Sequence, residues 1–263
     1  LQGDKVVVGG YFSGFGDPQI NRGLFRLNSD GSLDTSFSGG MGQSLGWGSP
    51  IAALGDGRMA VRGYVNGLSG TSIHILSADG VVDPTFVFGL AGTQTLYSEN
   101  MIGDGAGGLI TGGALAQSGS VVTCLSRWDA DGGALAAAAE GWRVLTTTVA
   151  DVAPATGGGW YVAGSFSFAN DQPASGLLRL MADGSIDPLF APVAPAGVGL
   201  PNRLAVTGGL IYVTASAGLH TRLLGYDTSG ALVVNSIIGS SAYPSWLKGA
   251  PGGKLIAAGT QTN

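Results

Sequence analysis

The sequence predicts an all-β repeat protein, a β-propeller of about five to six four-stranded blades built from units of about fifty residues. Three observations predict it. A short apolar run ending in a small residue recurs at Val6–Gly10, Met59–Gly63, Leu109–Gly113, Trp160–Gly164, Ile211–Ala215 and Leu255–Gly259, with successive ends 44 to 53 residues apart. A polar turn recurs between these runs at Asp30-Gly31, Asp79-Gly80, Asp131-Gly132, Asp183-Gly184 and Ser229-Gly230, 46 to 52 residues apart. Glycine is abundant, 48 of 263 residues, without a period of three, while only 11% of the chain is charged. Tight turns and closely packed sheets account for such a composition.

Each element has a physical reason. Runs such as Lys5-Val6-Val7-Val8 and Trp160-Tyr161-Val162-Ala163 are short and rich in β-branched or aromatic residues, so they read as strands buried on both faces. Asp-Gly between two such runs favours a turn, because glycine adopts positive φ and the carboxylate accepts nearby backbone N–H groups. Further glycines, as at Asp56-Gly57 and Gly252-Gly253, precede the glycine-ended strands and read as hairpin turns. No segment shows a sustained 3.6-residue apolar period; Ala134–Ala139 is the one helix-prone patch. A unit apolar on both sheet faces must stack on copies of itself. The units run over residues 1–48, 49–98, 99–150, 151–201 and 202–248, with a partial unit at 249–263, as one propeller domain. The chain opens and closes inside a unit, which favours a segment of a longer protein.

The net charge is −5 with no basic run, which argues against a nucleic-acid track. No apolar run reaches the roughly 18 residues of a membrane-spanning helix. The single cysteine, Cys124, excludes an intrachain disulfide framework.

The stretch Leu24-Phe25-Arg26-Leu27-Asn28-Ser29-Asp30-Gly31-Ser32-Leu33-Asp34-Thr35-Ser36-Phe37 resembles the signature of the delta-60 repeat family of β-propeller repeats. Leu177–Phe190 repeats it, with Arg179, Asp183, Gly184, Asp187 and Phe190 in matching places. The second unit keeps Asp79, Asp83 and Phe86 but has Ile75 at the arginine position. The third keeps Arg127 and Asp131 and loses the second aspartate and the phenylalanine; the fifth keeps little beyond Ser229-Gly230. The resemblance implies the fold, and an origin among bacterial surface or secreted proteins and phage structural proteins.

Candidate chemistry is sparse. Gly42-Gln43-Ser44-Leu45-Gly46 matches a nucleophile elbow, but at this glycine content about one such match arises by chance, and no helix follows it. Gly103–Gly108 matches G-x-G-x-x-G, but a strand follows where a dinucleotide site needs a helix. Asp129, Asp131 and Glu140 partly match a calcium loop that lacks its fifth-position ligand and its turn glycine. One cysteine and two histidines do not make a usual zinc set. The aspartates that recur once per unit read as turn caps and partners for Arg26 or Arg179, because a catalytic pair would occur once. Trp47, between two glycines, is a candidate surface contact. No cofactor is expected. The reading is a non-enzymatic structural or binding module of a virion (a phage tail or tail-associated protein) or of an extracellular or cell surface. Its partners would be other structural proteins of the same assembly, or a host-surface receptor or glycan, with homo-oligomerisation open. A secreted or cell-surface adhesin or carbohydrate-binding propeller is the first alternative, and a propeller hydrolase or lyase the last.

Overall fold

The computed structural model describes residues 3–9, 23–38, 51–63, 72–86, 95–117, 120–133, 144–145, 148–166, 168–169, 172–173, 176–240 and 242–261. Within them the chain is all-β, apart from a single 3-10 turn at Pro251–Gly253. The strands are β1 Val6–Gly9, β2 Leu24–Leu27, β3 Ile51–Ala53, β4 Met59–Gly63, β5 Ser72–Leu76, β6 Thr95–Gly103, β7 Leu109–Gln117 and β8 Ser120–Trp128. They continue with β9 Val144–Leu145, β10 Thr148–Pro154, β11 Trp160–Ser165, β12 Phe168–Ala169, β13 Gln172–Pro173 and β14 Leu177–Leu180. The last are β15 Pro201–Thr207, β16 Leu210–Ala217, β17 His220–Tyr226, β18 Leu232–Ser240, β19 Ala242–Ala250 and β20 Lys254–Gln261.

The sheets are β1-β2, β3-β4-β5, β6-β7-β8, β10-β11-β14, β15-β16-β17-β18 and β19-β20, with a small β13-β12-β9 sheet beside them. The residues gather into two compact units. One holds Leu1–Leu96, Met101–Thr111 and Arg127–Leu135; the other holds Tyr97–Asn100, Gly112–Ser126 and Ala136–Asn263.

The four-stranded expectation is met in β15-β16-β17-β18 alone among the described residues. Elsewhere the fourth strand shrinks to one bridge, Leu27 to Leu33, Leu76 to Val82 and Leu180 to Ile186. The reason is local. After the bridge, the carboxylates of Asp34, Asp83 and Asp187 accept the N–H two residues on, from Ser36, Thr85 and Leu189. That Asx turn bends the chain off the sheet edge before a strand can extend.

The turn between the third strand and this bridge is one structure used five times. The N–H of Asn28, Ser77, Asp129, Met181 and Asp227 donates to the carbonyl four residues on, and the glycine N–H at the fourth position donates back. Gly31, Gly80, Gly132, Gly184 and Gly230 all hold φ between 79° and 89°. This is a type I turn closed by a left-handed residue, which explains the recurrent Asp-Gly or Ser-Gly.

In the first unit Leu24, Phe37, Met59, Val61 and Leu76 form a core, with Val7, Ile51 and Val82 packed against it. In the second, Tyr161, Leu177, Phe190, Leu204, Ile211 and Leu224 are among the buried residues, and the Tyr161 and Phe190 rings lie 5.1 Å apart at 59°. Strand β11 is buried at five consecutive residues, Trp160 to Gly164, so both its faces are covered. Trp128 is likewise buried, its indole N–H donating to Thr111 at 3.0 Å.

Candidate functional site

The charged side chains of the repeat read from the sequence as turn caps and ion pairs, and the structure shows what they touch. Arg26 stands on β2 and is 5% exposed. Its Nε donates to Asp34 Oδ2 at 2.7 Å and its Nη1 to the carbonyl of Ala78 at 2.6 Å, while the guanidinium lies 4.8 Å from the centre of the Phe37 ring. Exposed Asp79 lies 3.8 Å from Nη2. Lys5 also donates to Asp34 Oδ2 at 2.7 Å, and Ser36 donates to Oδ1 from both its hydroxyl and its N–H. Lys5, then Ser36 and Arg26, hold the Asp34 carboxyl far below the usual carboxylate range. This cluster joins the first repeat to the second, because Ala78 belongs to the second repeat's Asp-Gly turn. A backbone bond runs beside it, from Ser38 N–H to the Asp79 carbonyl at 2.9 Å.

The fourth repeat rebuilds part of this. Arg179 Nη1 donates to Asp187 Oδ2 at 2.8 Å and sits 6.0 Å from the Tyr161 ring centre. Its Nη2 reaches the carbonyls of Thr156 and Gly158, both at 3.4 Å, in the β10–β11 hairpin. The residue after Phe190, Ala191, donates its N–H to the Ser229 carbonyl of the fifth repeat's turn at 3.2 Å, repeating the Ser38–Asp79 bond.

In the second and third repeats the same work moves to residues that the sequence did not single out for it. The second repeat has Ile75 where the arginine should stand, and Arg58, in the β3–β4 hairpin, takes over. Arg58 Nη1 donates to the Ala130 carbonyl at 3.2 Å, the carbonyl in the third repeat's turn that corresponds to Ala78. Its Nε is held by Asp56 at 2.6 Å. The third repeat keeps Arg127 but lacks the second aspartate; Asp104, in the β6–β7 hairpin, replaces it at 2.8 Å from Nη2. Asp104 is largely desolvated, which pushes its carboxyl up. The Ala106 N–H and Arg127 outweigh that and hold it below the usual range.

The turn caps shift in the same way. In the first and fourth repeats Asp30 and Asp183 accept the N–H of Ser32 and Ser185, both at 2.9 Å. In the second, the Ser77 hydroxyl accepts the N–H of Asp79 and Val81. In the third, Asp129 Oδ1 accepts the N–H of Asp131 at 3.0 Å and of Gly133 at 2.7 Å. In the fifth, Asp227 accepts from Ser229 and Ala231.

Asp129 thus spends one carboxylate oxygen on its own turn, and Asp131 is exposed. Glu140, the third member of the calcium candidate, lies outside the described residues, as do Trp47 and the Gly42–Gly46 match. Among the described residues no group of three or more His, Cys, Asp or Glu is placed to hold a metal ion. Gly103–Gly108 is the β6–β7 hairpin, closed by Asp104 N–H on the Gly108 carbonyl at 3.0 Å. No described helix is long and apolar enough to cross a membrane.

One buried carboxylate stands outside the repeat signature. Asp151 follows a bulge in β10 and is 8% exposed. Its Oδ2 accepts the Leu204 N–H of β15 at 3.0 Å and its Oδ1 the N–H of Val152 at 2.9 Å. Desolvation pushes its carboxyl up, against the two N–H donors and the positive charges of Lys248 and Arg203. The bulge recurs at the matching place in β15 and β19, where Asn202 and Ser245 are the inserted residues. The sequence signal for Asp151 was a lone acid inside an apolar run.

These side chains tie turns to strands, and the first repeat to the second, the second to the third and the fourth to the fifth. Two stretches of the chain carry a β-propeller repeat. Residues 2–37 and 158–190 match the family described as domain of unknown function (DUF5122) beta-propeller. No curated protein matches the sequence. Among solved structures, a protein of unknown function from Bacteroides caccae aligns at a TM-score of 0.51 and 12% identity, over 96% of this chain and 81% of that one. A protein from Lactobacillus plantarum aligns at 0.51 and 13% over 97% and 75%. The GH74 xyloglucanase from Xanthomonas campestris aligns at 0.50 and 15% over 88% of this chain and 38% of its own. At these identities the likeness is one of fold alone.

Proposed function

We propose that this chain is a β-propeller of about five to six four-stranded blades of the delta-60 type, acting as a non-enzymatic structural or binding module. Its setting on this reading is a phage virion, as a tail or tail-associated protein that contacts neighbouring subunits or the host surface. The observation that supports it is the use made of the charged side chains. Asp34, Asp104 and Asp187 each have both carboxylate oxygens engaged, one by turn N–H groups and the other by an arginine. A carboxylate working as acid, base or nucleophile needs an oxygen open to substrate. One engaged by a guanidinium and turn N–H groups rigidifies a scaffold instead.

The test is genetic and biochemical. Particles made without the gene are compared with wild type by negative-stain microscopy and host-adsorption rate, and altered tails or slowed adsorption are expected. Unchanged particles adsorbing normally would sink the virion assignment. Turnover of a glycoside or lactone substrate by the purified chain, abolished by one aspartate substitution, would sink the non-enzymatic one.

A further inference from the structure

Asp-Gly occurs six times in the chain, beginning at Asp30, Asp56, Asp79, Asp104, Asp131 and Asp183. The pair is chemically labile, because glycine has no side chain to keep its nitrogen from the preceding aspartyl Cγ. Whether it reacts depends on how the carboxyl and the glycine N–H are held. Ring closure also needs the neutral acid, since a carboxylate does not lose its oxygen as water.

Four of the six carboxyls are hydrogen-bonded. Asp30 Oδ1 accepts the Ser32 hydroxyl at 2.6 Å and its N–H at 2.9 Å, and Asp183 Oδ1 accepts those of Ser185 at 2.7 and 2.9 Å. Ser32 holds the Asp30 carboxyl below its ordinary value, and Ser185 does the same for Asp183. Asp56 is held by the N–H and Nε of Arg58, and Asp104 by the N–H groups of Ala106 and Gly108 and by Arg127. Asp79 lies 3.8 Å from the Arg26 guanidinium. Asp131 is different. It is exposed, and its carboxylate accepts no hydrogen bond among the described residues. Gly133 stands in the place of Ser32 and Ser185, so it offers no hydroxyl, and its N–H goes to Asp129 Oδ1 instead. The nucleophile is also held least. Gly132 N–H reaches its turn carbonyl at 3.2 Å, against 2.9 Å for Gly31 and Gly184 and 3.0 Å for Gly80.

We propose that Asp131-Gly132 is the site at which this chain isomerises to isoaspartate, and that the change releases the joint between its second and third repeats. The Gly132 nitrogen bonds to Asp131 Cγ, and its proton leaves with the carboxyl OH as water, giving a succinimide. Water then opens the ring at the former backbone carbonyl, and the main chain now runs through Cβ and Cγ, one methylene longer. That methylene enters a turn closed by Asp129 N–H on the Gly133 carbonyl at 2.9 Å. The same turn presents the Ala130 carbonyl to Arg58 Nη1, the bond that joins the two repeats. The proposal does not depend on the virion reading.

The test holds the intact chain at physiological temperature and mildly acidic pH. Its turn peptides are followed by mass spectrometry, with fragmentation that separates isoaspartate from aspartate. Isoaspartate should accumulate at 131 at least about fivefold faster than at 30 or 183, since the neutral fraction falls about tenfold for each unit by which a carboxyl is lowered. Gly133→Ser restores the missing hydroxyl and should slow the reaction at 131; the nearest atoms its Cβ meets belong to the Asp129 carboxylate, which can turn aside. The reverse change, Ser32→Gly at an exposed position, should speed the reaction at 30. As isoaspartate accumulates, the urea midpoint of the wild-type chain should fall, while Gly133→Ser aged alongside keeps its own. Equal rates at 30, 131 and 183 overturn the site, as does a rate at 30 that Ser32→Gly leaves unchanged. Isoaspartate at 131 with no fall in the midpoint overturns its link to the joint.

Discussion

Replacing Arg26 by methionine removes a guanidinium that closes the first repeat and grips the second, while keeping an aliphatic stem over Phe37. Two charge-assisted hydrogen bonds disappear, to Asp34 at 2.7 Å and to the Ala78 carbonyl at 2.6 Å. Each is worth roughly 1.5–3 kcal/mol net. The contact with the Phe37 ring adds about 1 kcal/mol for a desolvated cation. Against this loss, methionine avoids the desolvation of a buried charge, an offset of about 1–4 kcal/mol. Asp34 is not left bare, because Lys5 and Ser36 remain on it. The expected cost is therefore about 2–4 kcal/mol. In a urea titration with a slope of about 2 kcal/mol/M, the midpoint falls by about 1–2 M. The same change at Arg58, whose side chain is 25% exposed, should cost about 1 kcal/mol less, since water screens its contacts. An Arg26→Met midpoint within about 0.2 M of wild type would refute the reasoning, as would a larger loss at Arg58.

Two adjacent glycines separate clash from conformation. A Cβ on Gly159 (φ +80°) would sit 2.0 Å from the Leu180 carbonyl oxygen, whereas one on Gly158 (φ +96°) would meet nothing within 4 Å. Thermal melts should show Gly158→Ala costing about 1–2 kcal/mol and Gly159→Ala more than about 3 kcal/mol; equal costs would contradict this packing. Acid should destabilise the fold. Ser32 holds the Asp30 carboxyl low in the folded chain, Lys5 that of Asp34, and Ser185 and Ser229 those of Asp183 and Asp227. A carboxyl lowered by folding stabilises fully above its unfolded value of about 3.9 and loses that contribution as pH falls through the folded value. Asp151, raised by burial, acts in the opposite sense and partly offsets the loss. Chemical denaturation between about pH 6 and pH 2 should show stability falling below about pH 4, and an unchanged midpoint would refute the assignment.

The repeat was legible because its turns demand particular chemistry. Glycine must hold positive φ at Gly31, Gly80, Gly132, Gly184 and Gly230, so the register of five turns stands in the sequence. What the sequence concealed was role-sharing between positions. Ile75 and the missing second aspartate of the third repeat looked like erosion. In the structure Arg58 and Asp104 reach the same places from neighbouring hairpins, because hairpin and turn lie at one end of each sheet. Position-by-position matching is blind to a contact remade from another strand end. For the same reason Asp129 suggested a cation ligand, when its neighbouring turn was short of a cap. Among the described residues the four-stranded unit is seen in full in β15-β16-β17-β18. Where the Asx turn is present, at Asp34, Asp83 and Asp187, the fourth strand stops at one bridge, and where Val233 stands in place of the aspartate it runs for nine residues. Asp151 could not be found this way, since its partner, the Leu204 N–H, is 53 residues away on another sheet.

The central claim is that the repeats with the full signature, the first and the fourth, are each completed by the next through a fixed bond from the residue after the phenylalanine to the following turn. Amide hydrogen exchange at Ser38 and Ala191 tests it most directly, since both lie outside any strand and their N–H groups donate to the carbonyls of Asp79 and Ser229. The account predicts that both exchange as slowly as the amides of β4 and β11, opening only when neighbouring repeats separate. Exchange at both sites at free-loop rates, with those strands still protected, would contradict it.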